Sequence, residues 1–127
     1  VDAEKLAITA HSISISGYIF WVEYESNEPE RPEPCSPCLE KAISLTQLAW
    51  EEYGKKLDEH RYERLICGIK NNLAYYLAER GQKKDKDTAL AFAQYIHERE
   101  PNYPRDAPTW YDTYCKVMEK YGSQPNE

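Results

Sequence analysis

Apolar residues recur at helical spacing along most of this chain, and the pattern predicts five helices. Leu65, Ile66, Ile69, Leu73, Tyr76 and Leu77 follow a 3.6-residue period, with Asp58 placed to cap that helix and Gly81 to close it. Ahead of it, Leu39, Ala42, Ile43, Thr46, Ala49, Trp50 and Tyr53 form another stripe. Ser36 is expected to cap that helix, Pro37 to occupy its first position and Gly54 to end it. Downstream, Ala89, Phe92, Ala93 and Ile96 mark a fourth helix opened by Asp87 or Thr88, and Pro101-Asn102-Tyr103-Pro104 reads as a turn cluster. A fifth helix, from about Ala107 to Tyr121, carries Trp110, Tyr111, Tyr114, Val117 and Met118.

The segment from Ala3 to Tyr24 admits two readings. Ile13-Ser14-Ile15-Ser16 alternates like a strand. Ala3, Ala7, Ala10, Ser14 and Gly17, however, fall three or four residues apart and would make a ridge of small side chains along one helix face. Such a ridge lets a neighbouring helix approach closely, and helix is the favoured reading. Between this segment and Ser36, prolines at 29, 32 and 34 alternate with glutamates, which predicts a polar, semi-rigid connector over residues 25–36.

One pattern recurs. Leu73-Ala74, Leu77 and Gly81 return as Tyr114-Cys115, Met118 and Gly122: a large residue beside a small one, a second large residue, then glycine. In this the chain resembles the tetratricopeptide repeat family. The resemblance implies an all-α fold, an array of about five helices stacked as hairpins into an α–α superhelix, with residues 1–127 a single helical-repeat domain. It also implies a non-enzymatic protein–protein interaction module. In that family the concave groove is lined by the first helix of each hairpin. Carried over, this places Asn71, Asn72, Tyr75 and Glu79, together with Asp112, Thr113, Lys116 and Glu119, against a peptide or a partner helix. Two adjacent amides such as Asn71 and Asn72 could read extended backbone through their donors and acceptors. One subgroup of the family grips carboxylate-terminated chaperone tails with basic side chains. Asn72 matches its middle asparagine, but Thr109, Thr113, Ser14 and Tyr18 stand where cations are needed, so that specificity is not expected here.

Composition narrows the classes further. A chain of 127 residues that is 41% hydrophobic and 30% charged fits one globular domain rather than a disordered segment. Its net charge of −6 lacks the clustered lysine and arginine that nucleic acid binding requires, so no nucleic acid partner is expected. The short run Lys83-Lys84-Asp85-Lys86 reads as a solvated turn. The longest apolar run, Tyr18 to Val22, is far short of the roughly 20 residues of a membrane span, so no membrane partner is expected either. The chain begins at Val1 without a visible secretory signal, and is read as a piece of a longer, cytoplasmic protein.

Cys35-Ser36-Pro37-Cys38 is the one motif with chemical potential. Two cysteines at this spacing can form a redox disulfide or half of a zinc site. No second close pair accompanies them, since Cys67, Cys115, His11, His60 and His97 are dispersed. The expectation is two ordinary cysteines at a helix start, with no metal and no cofactor. A disulfide is the alternative. Cys67 and Cys115, on apolar faces, read as small hydrophobes. No catalytic constellation or glycine-rich phosphate loop emerges, so no enzyme is expected. Eleven tyrosines and three tryptophans suit either a core or an interface. Because the fifth helix resembles half of a hairpin, Trp110, Tyr111 and Tyr114 are expected to present an uncapped face for self-association. The sequence thus favours an interaction module. Its alternatives are a redox- or metal-responsive module built on Cys35 and Cys38, and a helical accessory domain of a larger enzyme.

Overall fold

The computed structural model describes residues 2–26, 33 and 35–122. The prolines expected to stiffen the connector, at 29, 32 and 34, lie outside the described residues. Among the described residues the fold is all-α, with five α-helices: α1 (Ala3–Glu25), α2 (Ser36–Leu48), α3 (Glu63–Arg80), α4 (Lys86–Arg99) and α5 (Ala107–Tyr121). Packing groups the chain into two compact units, Val1–Ile69 and Lys70–Glu127.

In the first unit, α1 packs on α2 and on the helical turns that follow it. The strand-like alternation around Ile13 is overridden. Ala10, Ser14, Gly17 and Trp21 form the buried face of α1, and Asp2 caps the helix by accepting hydrogen bonds from the Glu4 and Lys5 amides at 2.8 and 3.4 Å. The small-residue ridge is therefore buried at Ala10, Ser14 and Gly17, while Ala3 and Ala7 at its start are only half-buried. Its closest approach is at Gly17, where a Cβ would lie 2.7 Å from Thr46 Oγ1 and 3.1 Å from the Ala42 carbonyl oxygen. Thr46 cannot swing aside freely, because its buried hydroxyl donates to that same carbonyl at 2.7 Å.

Two expectations for α2 need correction. Cys35, not Ser36, takes the capping position; it makes no side-chain cap bond, and Pro37 lies within the first helical turn. Gly54 does not end a regular α-helix by a left-handed turn. The chain runs from α2 into a π-helical turn over Ala49–Tyr53 and a 3₁₀ turn over Gly54–Lys56, with Gly54 at φ −61°. Glycine is needed there for room: a Cβ would sit 2.8 Å from the Trp50 ring and 3.2 Å from the Ala49 carbonyl oxygen. Asp58 then nucleates the turn leading into α3, accepting from the His60 and Arg61 amides at 2.8 and 3.0 Å. These bonds, the one from Arg61 foremost, hold its carboxyl below the usual aspartate range.

In the second unit, the C-terminal part of α3 ends at Gly81, whose φ of +72° is the left-handed conformation that glycine adopts without penalty. The Gly81 amide donates to the Leu77 carbonyl at 2.8 Å. The basic run after it is not simply a solvated turn. Lys83–Asp85 forms a 3₁₀ turn, and Asp85 is buried against Arg80 at 2.7 Å. Because its carboxylate is engaged there, Asp85 makes no side-chain cap bond to α4, though it occupies the capping position. Tyr121 closes the same corner from α5, its hydroxyl donating to the Gln82 carbonyl at 2.6 Å and more distantly to that of Leu77 at 3.4 Å. Burial, and then the nearby Asp85 charge, push its phenol above the ordinary tyrosine range.

Helix α4 packs on α5 through buried Ala89, Ala93 and Ile96 on one side and Trp110, Thr113 and Val117 on the other. Lys70 lies 3.6 Å and Arg99 3.4 Å from the Tyr95 ring centre, so cation–π contacts tie α4 to α3 and to its own last turn.

Candidate functional site

Within the second unit a concavity opens between the last turns of α3 and the outer face of α5. Tyr75 and Ala78 line it from α3, and Asp112, Cys115, Lys116, Glu119 and Lys120 from α5, around a volume of about 510 Å³. The α5 residues follow the i, i+3, i+4 rule that puts side chains on one helix face, while Val117, Thr113 and Trp110 turn inward on the opposite face.

An ion pair sets the geometry of this groove. Lys116 Nζ lies 2.8 Å from Glu79 Oε1, both side chains roughly 30% exposed, and 4.6 Å from the centre of the Tyr75 ring. The ammonium is thus held by a carboxylate and an aromatic face together, which fixes a long side chain that would otherwise be mobile. Lys120 runs close over Gly81, where a Cβ would lie 2.7 Å from its Cε. Beside the groove, Tyr111 hydrogen-bonds the Cys115 side chain. That bond, followed by the electrostatic interaction with Cys115, raises the tyrosine above its ordinary range. The arrangement offers an aromatic plate, one fixed cation, a second cation and two acids on a surface open to solvent. It can read polar and charged side chains along an extended segment. Among the described residues no cluster of three His, Cys, Asp or Glu could hold a metal ion.

Of the eight residues assigned to the groove, Tyr75, Asp112, Lys116 and Glu119 line this concavity, and Glu79 is joined to it through Lys116. Asn71 and Thr113 are not groove residues: they are buried, at 8% and 1% exposure. Asn71 Nδ2 donates to Asn72 Oδ1 at 3.3 Å, so the two amides bind each other instead of presenting a common edge. Asn72 is half-buried and lies outside the groove lining. Three lining residues, Ala78, Cys115 and Lys120, were not expected in the groove, although their spacing from Tyr75, Asp112 and Lys116 is that of one helix face. Cys115 is exposed and so differs from Cys67, which is buried as expected.

The rings assigned to self-association are largely in use. Trp110 is 4% exposed and packs on Tyr103 with ring centres 5.3 Å apart. Tyr114 stacks on His97 at 3.9 Å, and His97 Nδ1 lies 2.8 Å from Glu100 Oε2. Only Tyr111 of the three is exposed, at 50%. Helix α5 therefore covers its apolar face with its own neighbours.

Cys35 and Cys38 are joined as a disulfide, with Cα atoms 5.2 Å apart, in place of the two free thiols expected. Proximity across the first turn of α2 brings the sulfurs together. Among the described residues no helix is long and apolar enough to cross a membrane. In comparisons with known proteins, no family model, no curated protein and no solved structure matches the chain.

Proposed function

We propose that this chain is a non-enzymatic protein–protein interaction module of the helical-repeat type, similar to tetratricopeptide repeats, and that the groove between α3 and α5 holds a peptide or partner helix. One observation carries the reading: Tyr75, Asp112, Lys116 and Glu119, drawn from two helices, line a single open groove around a fixed Lys116–Glu79 pair. Rigid helices that present fixed charges beside an aromatic face lose little entropy on binding a flexible segment. The occupant is a segment with both an aromatic or aliphatic side chain for Tyr75 and charged groups for the lysines and acids.

The test is selection of peptides from a random display library on the wild-type chain, followed by counter-selection on Lys116→Glu and Tyr75→Ala. Peptides that bind wild type and lose at least about tenfold in affinity on both variants support the groove, a loss worth roughly 1.4 kcal/mol. Peptides that bind all three chains equally, or no enrichment at all, sink it.

The Cys35–Cys38 bond favours a second reading, a redox-responsive module, in which reduction frees two thiols at the start of α2. Thiol counting before and after mild reductant tests it. A cytoplasmic location belongs with that reading, because disulfides persist in oxidising compartments and are kept reduced in the cytosol. Recovery of the chain from an oxidising compartment with the bond intact would argue for a structural staple instead.

A further inference from the structure

Among the described residues of the first unit, α1 carries an exposed apolar stripe. Ile8 is 65% exposed, Ile19 61%, Tyr18 51%, Ile15 46% and Val22 44%, although the face of the same helix bearing Ala10, Ser14 and Gly17 is buried. Ile8, Ile15 and Val22 repeat at heptad spacing, with His11 and Tyr18 at the intervening positions and Ile19 alongside. That is the pattern of a helix whose second side accepts another helix.

We infer that this stripe pairs with the same stripe of a second copy, the two α1 helices running antiparallel across a two-fold axis. Area supports a second copy: two such stripes facing each other would cover on the order of 1,000 Å², the lower limit for a specific interface. Charge sets the direction. Lys5 and Glu23 are a whole number of turns apart at 3.6 residues per turn and lie on the same flank of the stripe, near opposite ends of the helix. Antiparallel pairing sets Lys5 of each copy toward Glu23 of the other, whereas parallel pairing puts this flank of the two copies on opposite sides of the seam and forms no such pair. It also opposes the two helix dipoles, placing the acidic last turn of one copy near the positive N-terminus of the other. This surface is separate from the α3–α5 groove, and the inference does not depend on that groove having a ligand.

Sedimentation equilibrium of the full chain from about 1 to 200 µM tests the proposal, over the range of a weak dimer. The wild type is expected to dimerise within that range. Ile15→Glu and Ile19→Glu should each weaken association by at least about 100-fold, because a carboxylate would enter an apolar seam. Both positions are solvent-exposed in one copy, so circular dichroism of the variants should match wild type. Lys5→Glu should weaken the dimer by about 3- to 10-fold, and adding Glu23→Lys should restore it. Each of these charge changes also suits the helix dipole, so loss of helix would not explain a weakened dimer. A wild type that stays monomeric at the highest concentration overturns the proposal, as does a dimer that Ile15→Glu and Ile19→Glu leave intact. A dimer indifferent to Lys5→Glu overturns the antiparallel register.

Discussion

Gly17 is where α1 comes nearest to α2, and replacing it with alanine sets two opposing effects against each other. In a helix interior, glycine is destabilising by roughly 0.5–1 kcal/mol relative to alanine, so propensity alone predicts a gain. Packing predicts the reverse. The new Cβ would stand 2.7 Å from Thr46 Oγ1 and 3.1 Å from the Ala42 carbonyl oxygen, and both atoms are held by their mutual hydrogen bond. Overpacking of this kind typically costs about 1–3 kcal/mol. The net expectation for Gly17→Ala is a loss on the order of 1–2 kcal/mol, packing outweighing propensity. Thr46→Ala removes the nearer obstacle, so Gly17→Ala in that background should be close to neutral. The resulting double-mutant coupling is expected to be about 1 kcal/mol or more. The assay is urea unfolding of the four chains followed by circular dichroism, with midpoints compared at equal slope. A stabilising Gly17→Ala, or an equal effect in both backgrounds, would refute the close approach described here.

Other changes probe the remaining joints. Leu73, 2% exposed, should cost about 2–5 kcal/mol when truncated to alanine; a loss under half a kcal/mol would put it on the surface. Gly81→Ala forces a side chain into a φ of +72° and against Lys120, and should lower stability by roughly 1 kcal/mol or more, with Gly81→Asn milder. Tyr121→Phe loses the bonds to the Gln82 and Leu77 carbonyls and should cost about 1 kcal/mol at neutral pH. The Tyr121 phenol is raised in the folded state, so its contribution is complete below the ordinary tyrosine range and is lost as pH rises through and beyond it. The stability gap between wild type and Tyr121→Phe should therefore narrow in alkaline melts, and a constant gap would contradict this. Asp58 is lowered on folding, so its capping contribution should be present above the ordinary aspartate range and fade as pH falls through the folded value. Asp58→Asn should flatten that acid limb.

Helix positions were legible in the sequence because the 3.6-residue period is a local property. Leu65 to Leu77 and Trp110 to Val117 carry it without help from the rest of the chain. Gly81 was legible for the same reason, since a left-handed residue at a helix end has a local signature. Gly54 looks identical in sequence yet serves a different need, because what demands glycine there is the Trp50 ring and the Ala49 carbonyl, known only once the π turn has formed. The Arg80–Asp85 pair was hidden likewise. A 3₁₀ turn brings those side chains together, and a run of lysines with one acid gives no hint of it.

The groove shows where spacing rules stop. The family resemblance placed Asn71, Asn72, Asp112 and Thr113 together on the groove, but Asn71 is buried and bonded to half-buried Asn72, and Thr113 is buried while Asp112 alone of the four lines the concavity. Composition left the tyrosines equally suited to core and surface, and only burial separates them. Tyr76 and Tyr121 are core, and Tyr95 and Tyr114 serve as plates for Lys70, Arg99 and His97. Among the others, Tyr75 lines the groove, Tyr111 is exposed beside it and Tyr18 lies on the α1 stripe. Tyr75 and Tyr18 mark two surfaces of different character: an open groove of mixed charge and an apolar heptad stripe. The first suits reversible capture of a varied segment, and the second suits a partner with matching helical periodicity. If both readings hold, Tyr75→Ala should change peptide capture without changing sedimentation, and Ile15→Glu should do the reverse. A single variant that altered both would mean that one surface, not two, had been identified.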